Sequence, residues 1–114
     1  ARAESLTRHF NTEIIVTIDF IPMTRELYLP TRRLGTFRLK GREQPIQLYA
    51  LGQPNDLRFQ TQLIEAWEAW LTDLEQATNQ HPPCPEIFDE DRETLLKWRA
   101  RGLLKAGIWY LEEK

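Results

Sequence analysis

Residues 34–51, LGTFRLKGREQPIQLYAL, decide the fold that the sequence predicts. Apolar and polar residues alternate before and after the central segment GREQP, and this period of two is typical of β-strands. Gly41 permits a tight turn, and Pro45 is disfavoured inside a central strand. The stretch therefore predicts a β-hairpin with a polar tip. Strict alternation would place Leu34 and Phe37 on opposite faces of its first strand.

The residues before the hairpin predict a helix, a strand and a short helix. Residues 1–10 carry apolar side chains at helical spacing, and we interpret them as the last turns of a helix. Residues 13–18, EIIVTI, are apolar and β-branched, which predicts a buried core strand. Residues 19–33 are interrupted by two prolines, and a short helix is predicted at 23–27.

The residues after the hairpin predict two amphipathic helices. Residues 57–78 and 91–111 carry apolar residues at intervals of three and four, and the proline-rich NQHPPCP at 79–85 separates them. The predicted apolar stripe of the second helix consists of Leu96, Ala100, Leu103 or Leu104, Ile108 and Leu111. We therefore predict an α-helical hairpin in this half of the chain.

Length and charge bound the class of protein. The chain has 114 residues, of which 41% are hydrophobic and 28% charged, as in an ordinary globular domain or a piece of one. The net charge of −2 divides unevenly: residues 1–51 carry +3 and residues 52–114 carry −5. The cationic half favours an anionic ligand such as a nucleotide, whereas the acidic half does not favour nucleic acid or a membrane.

Cysteine usage and hydropathy bear on the compartment. Cys84 is the single cysteine, so no intrachain disulfide forms, and His81 with Cys84 is a weak metal signal without further ligands. No apolar run approaches the ~20 residues of a membrane span, and no signal-peptide pattern is present. We expect a cytoplasmic protein. The sequence starts at Ala1, inside a predicted helix, so we expect termini that are not natural ones.

Two motifs in order resemble a known enzyme family. The hairpin contains LG at 34–35, LKG at 39–41, PI at 45–46 and LYAL at 48–51. Residues 1–17, ARAESLTRHFNTEIIVT, precede it with a helix that leads through a polar turn to a strand. Together they are similar to the end of the catalytic domain of class III adenylyl and guanylyl cyclases.

The resemblance implies an α+β fold, a partial ferredoxin-like nucleotide-cyclase sheet with a β-hairpin, followed by the α-helical hairpin. Residues 1–52 would be the C-terminal part of the catalytic domain, and residues 53–114 a helical extension, similar to repeat-like extensions of some bacterial cyclases. Such domains work as dimers and convert ATP to cyclic AMP and pyrophosphate with Mg²⁺ or Mn²⁺. The resemblance to bacterial members favours ATP over GTP as the substrate, although the base-reading positions lie mostly outside the chain.

The resemblance also implies two site residues. Arg2 matches the catalytic arginine that stabilises the pentavalent phosphate, a task suited to its planar, permanently charged fork of donors. Lys40 matches the lysine that contacts the triphosphate as a point charge. Without the resemblance, both are ordinary surface cations. The asparagine partner of Arg2 would fall before Ala1.

Other parts of a cyclase are missing from the sequence. The two metal-binding aspartates and the glycine-rich turn belong to an earlier part of the domain, and Asp19, Asp89 and Asp91 lack the strand context to replace them. We therefore expect Mg²⁺ or Mn²⁺ in the full-length enzyme, none bound by this chain, and no activity of the chain alone. ATP would bind the full-length enzyme, and a second copy or the missing N-terminal half would be the protein partner.

Several features keep a second interpretation open. Arg32 and Arg33 are interpreted as solvated, with phosphate binding as the alternative. The four tryptophans all fall in the predicted helices, where they serve core packing or form a partner surface. The rival function is thus a non-catalytic interaction or dimerisation module with a Trp-rich helical hairpin.

Overall fold

A computed structural model of the chain describes residues 3–10, 12–39, 43–76 and 83–111. Within these residues the fold is α+β, as predicted, with one five-stranded sheet and three α-helices. The strands are β1 (Ile15–Thr17), β2 (Thr31–Arg38), β3 (Ile46–Leu51), β4 (Leu104–Lys105) and β5 (Ile108–Tyr110). The helices are α1 (Ile21–Glu26), α2 (Thr61–Glu75) and α3 (Asp89–Ala100), with 3₁₀ turns at Ala3–Arg8, Ile18–Phe20, Leu57–Phe59 and Glu86–Phe88.

The predicted β-hairpin is present as strands β2 and β3. They pair antiparallel from Thr31 opposite Leu51 to Phe37 opposite Ile46. Alternate residues of β3 are buried, as expected for a strand with one face on the core. The prediction of a hairpin in this stretch is therefore confirmed.

The strict alternation predicted for the first strand is wrong, because β2 contains a bulge. The register shifts between Arg33 and Gly35, so Leu34 is an extra residue on this strand. Leu34 and Phe37 consequently both reach the core. Gly35 has a φ of 140°, and a Cβ there would lie 3.0 Å from Nε1 of Trp109, so the close approach of β5 requires glycine.

The N-terminal segment packs on the sheet but differs from the predicted elements. Residues Ala3–Arg8 form a 3₁₀ rather than an α-helical segment, and Leu6 and Phe10 are buried. The strand predicted as buried over residues 13–18 is the short edge strand β1, which pairs only with β3 among the described residues. The prediction that Ile14 and Ile18 are core residues is wrong, because both lie at the ends of this edge strand and are exposed.

The first long helix is confirmed over Thr61–Glu75. Its buried residues are Trp67, Trp70, Leu71 and Leu74. The helix begins later than predicted, because Leu57–Phe59 is a separate 3₁₀ turn in which the Asp56 carboxylate accepts a hydrogen bond from the Arg58 amide. Residues 77 and 78, which end the predicted helix, lie outside the described residues.

The second helix ends at Ala100, so the prediction that it continues to residue 111 is wrong. Gly102, with a φ of 76°, ends α3 in the left-handed conformation typical of helix C-termini. The following residues form the β4–β5 hairpin, whose two-residue loop is Ala106 and Gly107. The predicted α-helical hairpin is therefore replaced by two helices and a small β-hairpin. The apolar spacing of residues 101–111 is compatible with a continued helix and also with the β4–β5 hairpin that the structure contains.

Strand β5 joins the two halves of the sequence. It pairs parallel with β2, with Phe37 opposite Trp109, and the sheet order is β1-β3-β2-β5-β4. One buried cluster contains residues from both segments, 1–52 and 53–114. In the described part of the chain, no helix is long and apolar enough to cross a membrane.

Candidate functional site

Both site residues that the resemblance implies lie outside the described residues. Arg2 precedes the first described segment, and Lys40 falls between Leu39 and Glu43. The described parts that flank Lys40 are the ends of the hairpin, where β2 ends at Arg38 and β3 begins at Ile46. The roles of Arg2 and Lys40 therefore stay predictions. His81, paired in sequence with Cys84, is likewise outside the described residues.

The described residues do not fit the two-metal centre of a cyclase. None of their His, Cys, Asp and Glu side chains form a group of three or more that could hold a metal ion. Asp19 is exposed in a 3₁₀ turn, Asp89 is exposed at the start of α3, and Asp91 is paired with an arginine. We therefore derive no chemical step through Mg²⁺ or Mn²⁺ in this part of the chain.

The most buried charges form what we call the Arg32 cluster: Arg32, Asp91, Trp67 and Phe88. The Arg32 side chain is 2% exposed and the Asp91 side chain 1%, and Nη2 of Arg32 donates a hydrogen bond to the Asp91 carboxylate at 2.5 Å. The Arg32 guanidinium lies 4.6 Å from the Trp67 ring centroid and 4.3 Å from that of Phe88. This arrangement joins β2 to α2 and α3 through a charge that contacts the faces of two aromatic rings.

The electrostatics of the Arg32 cluster follow from its burial. Burial lowers the pKa of Arg32, and the Asp91 carboxylate opposes that change. Nε and Nη1 of Arg32 are buried without a hydrogen-bond partner among the described residues. The guanidinium therefore depends on Asp91 and on the faces of the two rings for its stabilisation.

The neighbouring Arg33 points to acidic residues of α2. It donates hydrogen bonds to Glu68 at 2.9 Å, to Glu75 at 3.1 Å and to Thr72 at 3.3 Å. Partial burial lowers its pKa, but the hydrogen bonds to Glu75 and Glu68 outweigh this effect and raise the pKa overall. In addition, Nε1 of Trp67 donates a hydrogen bond to the Arg33 carbonyl at 2.6 Å. Strand β5 pairs with β2 only at Phe37 and Arg38, so it does not pair with Arg33.

The interpretation of Arg32 and Arg33 as solvated charges is therefore wrong. Each guanidinium pairs with carboxylates of the helical half of the chain. Binding of a phosphate by either residue would require an ion pair to open first. Sequence reasoning missed this pairing because the partners of the arginines lie 35 to 59 residues away along the chain.

The tryptophans serve the core. Trp67 and Trp109 are fully buried, and Trp70 and Trp98 are 4% exposed. Trp98 lies edge-on to Phe10 and to other rings of the core. Packing, the first of the two interpretations, is confirmed. The tryptophans do not form a partner surface.

Exposed apolar side chains concentrate instead in what we call the β1–α1 surface, within residues 14–28. Its members are Ile14, Ile18, Phe20, Met23, Leu27 and Tyr28, which are between 41% and 87% exposed. So many large apolar side chains in one short segment mark an interaction surface more often than scattered single exposures do. In the sequence, this surface corresponds to the closely spaced apolar residues of segment 18–28. The same spacing is compatible with a helix that packs on the core, so it does not by itself predict an exposed surface.

Cys84 is half-buried and chemically quiet. Burial raises the pKa of its thiol to about 11. At neutral pH the thiol is therefore protonated almost completely, and a nucleophilic role is disfavoured.

Comparison with known proteins does not assign the chain to a family. No protein-family model matches it, and neither a curated protein nor a solved structure matches it. The cyclase resemblance of residues 1–51 therefore stays a prediction, based on the two motifs and their order.

Proposed function

We propose that the chain is the C-terminal part of a class III nucleotide cyclase catalytic domain, which in the complete protein forms cyclic AMP from ATP. The observation that carries this proposal is the contact between the two segments that resemble the family. Phe10 follows the ARAESLT segment, Phe37 belongs to the hairpin, and their ring centroids lie 6.4 Å apart. Both rings are buried in one core. The two motifs thus belong to one structural unit, which supports a common origin for them.

In this proposal the two cations act on the phosphates of the nucleotide. Arg2 donates hydrogen bonds to the phosphate oxygens that gain charge during cyclisation, and Lys40 holds the triphosphate. No three of the described His, Cys, Asp and Glu side chains form a group that could hold a metal ion, so in this proposal the metal-binding carboxylates come from another part of the domain. The chain alone is then expected to be inactive.

The coding sequence upstream of Ala1 provides the first test. The proposal requires an asparagine four residues before Arg2 and, further upstream, two aspartates at strand ends. A start codon near Ala1 that follows an in-frame stop codon would contradict the proposal.

The second test is the activity of the complete protein and of two variants. Removing a donor to transition-state charge costs about 10²- to 10³-fold in kcat, so we expect that loss for Arg2→Ala. Lys40→Ala should raise KM for ATP. Arg8→Ala, at an exposed position of the same segment, is the matched control and should change neither constant. Equal activity of all variants would contradict the proposal, whereas formation of cyclic AMP by the chain alone would contradict only its expected inactivity.

The β1–α1 surface favours a second candidate function, a non-catalytic dimerisation module. Strand β1 is an edge of the sheet and pairs on one side only among the described residues. Two copies of an edge strand can pair antiparallel about a two-fold axis, which would also cover the exposed apolar side chains beside it. The partner in this candidate is therefore a second copy of the chain.

Oligomeric state, combined with substitutions on the β1–α1 surface, tests the dimer candidate. The dimer candidate predicts a dimer by light scattering at about 100 μM, a typical concentration for a weak self-association. Met23→Asp with Leu27→Asp should give a monomer. Leu57→Asp is the control, because Leu57 is exposed but lies outside the β1–α1 surface. A wild-type monomer at this concentration, or a dimer unchanged by the double substitution, would contradict the dimer candidate.

A further inference from the structure

A cavity of about 320 Å³ lies between the C-terminal end of α3 and the β4–β5 hairpin. Residues that line it are Trp98, Arg101, Leu103, Lys105, Tyr110 and Leu111. It is remote in sequence from both predicted site residues, Arg2 and Lys40. Its volume is at the lower end of the range typical of small-molecule sites.

The apolar part of the lining is continuous with the core. Trp98 and Leu111 are buried, whereas Leu103 and Tyr110 are half-buried. The Trp98 ring is held by edge contacts with rings of the core, among them Phe10 and Trp109. Because Trp98 and Leu111 pack in the core, little ordering of these side chains is needed on binding.

The polar part of the lining is cationic. Arg101 and Lys105 are exposed, and neither forms an ion pair with a described residue. Nζ of Lys105 lies 5.9 Å from the centroid of the Tyr110 ring. None of the described residues that line the cavity is acidic. The lining thus combines aromatic and aliphatic side chains with two positive charges that form no ion pair within the described part of the chain.

The nearby end of α3 does not cancel this positive charge. A helix C-terminus repels anions through its free carbonyl groups. Here the carbonyls of Lys97, Trp98 and Arg99 accept hydrogen bonds from the backbone amides of residues 101–103. Lys97 and Arg99 also place two more cations in the last turn.

We propose that this cavity binds a small amphipathic anion, an aromatic or aliphatic carboxylate. The apolar body of the ligand lies against Trp98, Leu103 and Leu111, and its carboxylate lies between the side chains of Arg101 and Lys105. A carboxylate is favoured over a neutral ligand because the two cations have no carboxylate partner among the described residues. This site is independent of the cyclase proposal and of the dimer proposal.

The test uses 2-naphthoate as the anionic probe and 2-naphthalenemethanol as its neutral counterpart. Amide and indole shifts in ¹H–¹⁵N spectra should change saturably at Trp98, Arg101 and Tyr110. The dissociation constant should be on the order of 1 mM, as expected for a ligand of this size. The neutral probe should bind at least about tenfold more weakly, since it lacks the charge that the two cations recognise.

Variants locate the site. Arg101→Gln and Lys105→Gln should each weaken naphthoate binding about threefold, the effect of one solvent-exposed ion pair. Arg25→Gln, at an exposed position of α1 outside the lining, is the control and should leave binding unchanged. The proposal is overturned if the shifts do not saturate below about 10 mM, if both probes bind equally, or if the control weakens binding as much as the site variants.

Discussion

Arg32 is held by one carboxylate and two rings, although a buried guanidinium is costly to remove from water. Truncating one partner of a buried ion pair leaves an uncompensated charge, whereas removing both charges is often tolerated. Because two nitrogens of Arg32 already lack hydrogen-bond partners among the described residues, Asp91 has no substitute there. The stability of the fold should therefore depend strongly on this single carboxylate.

We predict that Asp91→Asn lowers the free energy of unfolding by about 3–5 kcal/mol, measured by urea denaturation. The control is Asp89→Asn on the same helix, where the exposed carboxylate lies 3.7 Å from Arg92 and a loss of at most about 0.5 kcal/mol is expected. If Asp91→Asn does not fold, Arg32→Met combined with Asp91→Leu should restore a folded chain. Equal effects of Asp91→Asn and Asp89→Asn would contradict the prediction.

Cys84 provides a prediction about pH. The unfolded thiol loses its proton near its usual pKa of 9.0, whereas the folded thiol keeps it until about 11. The folded state therefore binds more protons in this range, so its stability should fall as pH rises from about 9 to 11.

The same shift should slow alkylation of Cys84 by iodoacetamide at pH 8. We expect a rate about 100-fold lower in the folded chain than in urea, from the difference in thiolate fraction, measured by mass spectrometry. A rate in buffer equal to that in urea would show that burial does not control this thiol.

Among the elements, the β4–β5 hairpin differs most from the sequence prediction. Both residues of its loop have positive φ, 51° at Ala106 and 78° at Gly107, which defines a type I′ turn. Asparagine tolerates this conformation at the first loop position better than alanine does. Alanine is, in contrast, the better residue in a helix.

Ala106→Asn should therefore stabilise the protein by about 0.5–1 kcal/mol, seen as a higher urea midpoint. If residues 103–111 were helical, as the apolar spacing predicted, the same substitution would destabilise it. Ala69→Asn, at an exposed position inside α2, is the control and should cost about 0.6 kcal/mol. A loss of stability in Ala106→Asn would contradict the hairpin.

Some elements could be predicted from patterns in the sequence and others could not. Helix α2 and the β2–β3 hairpin follow from long, consistent periodicity and from local turn residues, so both were predicted. The bulge at Leu34 depends on contacts between distant residues, whereas the end of α3 had a local signal in Gly102 that apolar spacing does not contain. Gly35 is required by its positive φ and by the approach of Trp109, and local periodicity contains no information on either.

The candidate site was predictable to a smaller extent. Arg2 and Lys40 follow from motif resemblance, and their geometry lies outside the described residues. The Arg32 cluster is built from segments far apart in the chain, so it had no local signal. The cavity beside α3 is lined by residues 98–111, which the apolar spacing assigned to one helix, so its shape could not be predicted.

At the scale of the whole molecule, the two halves of the sequence share a sheet and a core. We therefore predict one cooperative unfolding transition. Tryptophan fluorescence reports on residues 67–109, and the amide signal of Gly35 reports on β2, so both should show the same urea midpoint. Separate midpoints would indicate that residues 1–52 and 53–114 unfold as independent units.

The parallel pairing of β5 with β2 has a consequence for synthesis on the ribosome. Strand β2 emerges from the ribosome about seventy residues before β5. Until β5 has been synthesised, the edge of β2 at residues 37 and 38 has no partner strand in the described sheet. During that interval the nascent chain presents an apolar strand edge, the kind of surface that holdase chaperones bind. Expression at high rates should therefore favour inclusion bodies, and slower translation should increase the folded yield.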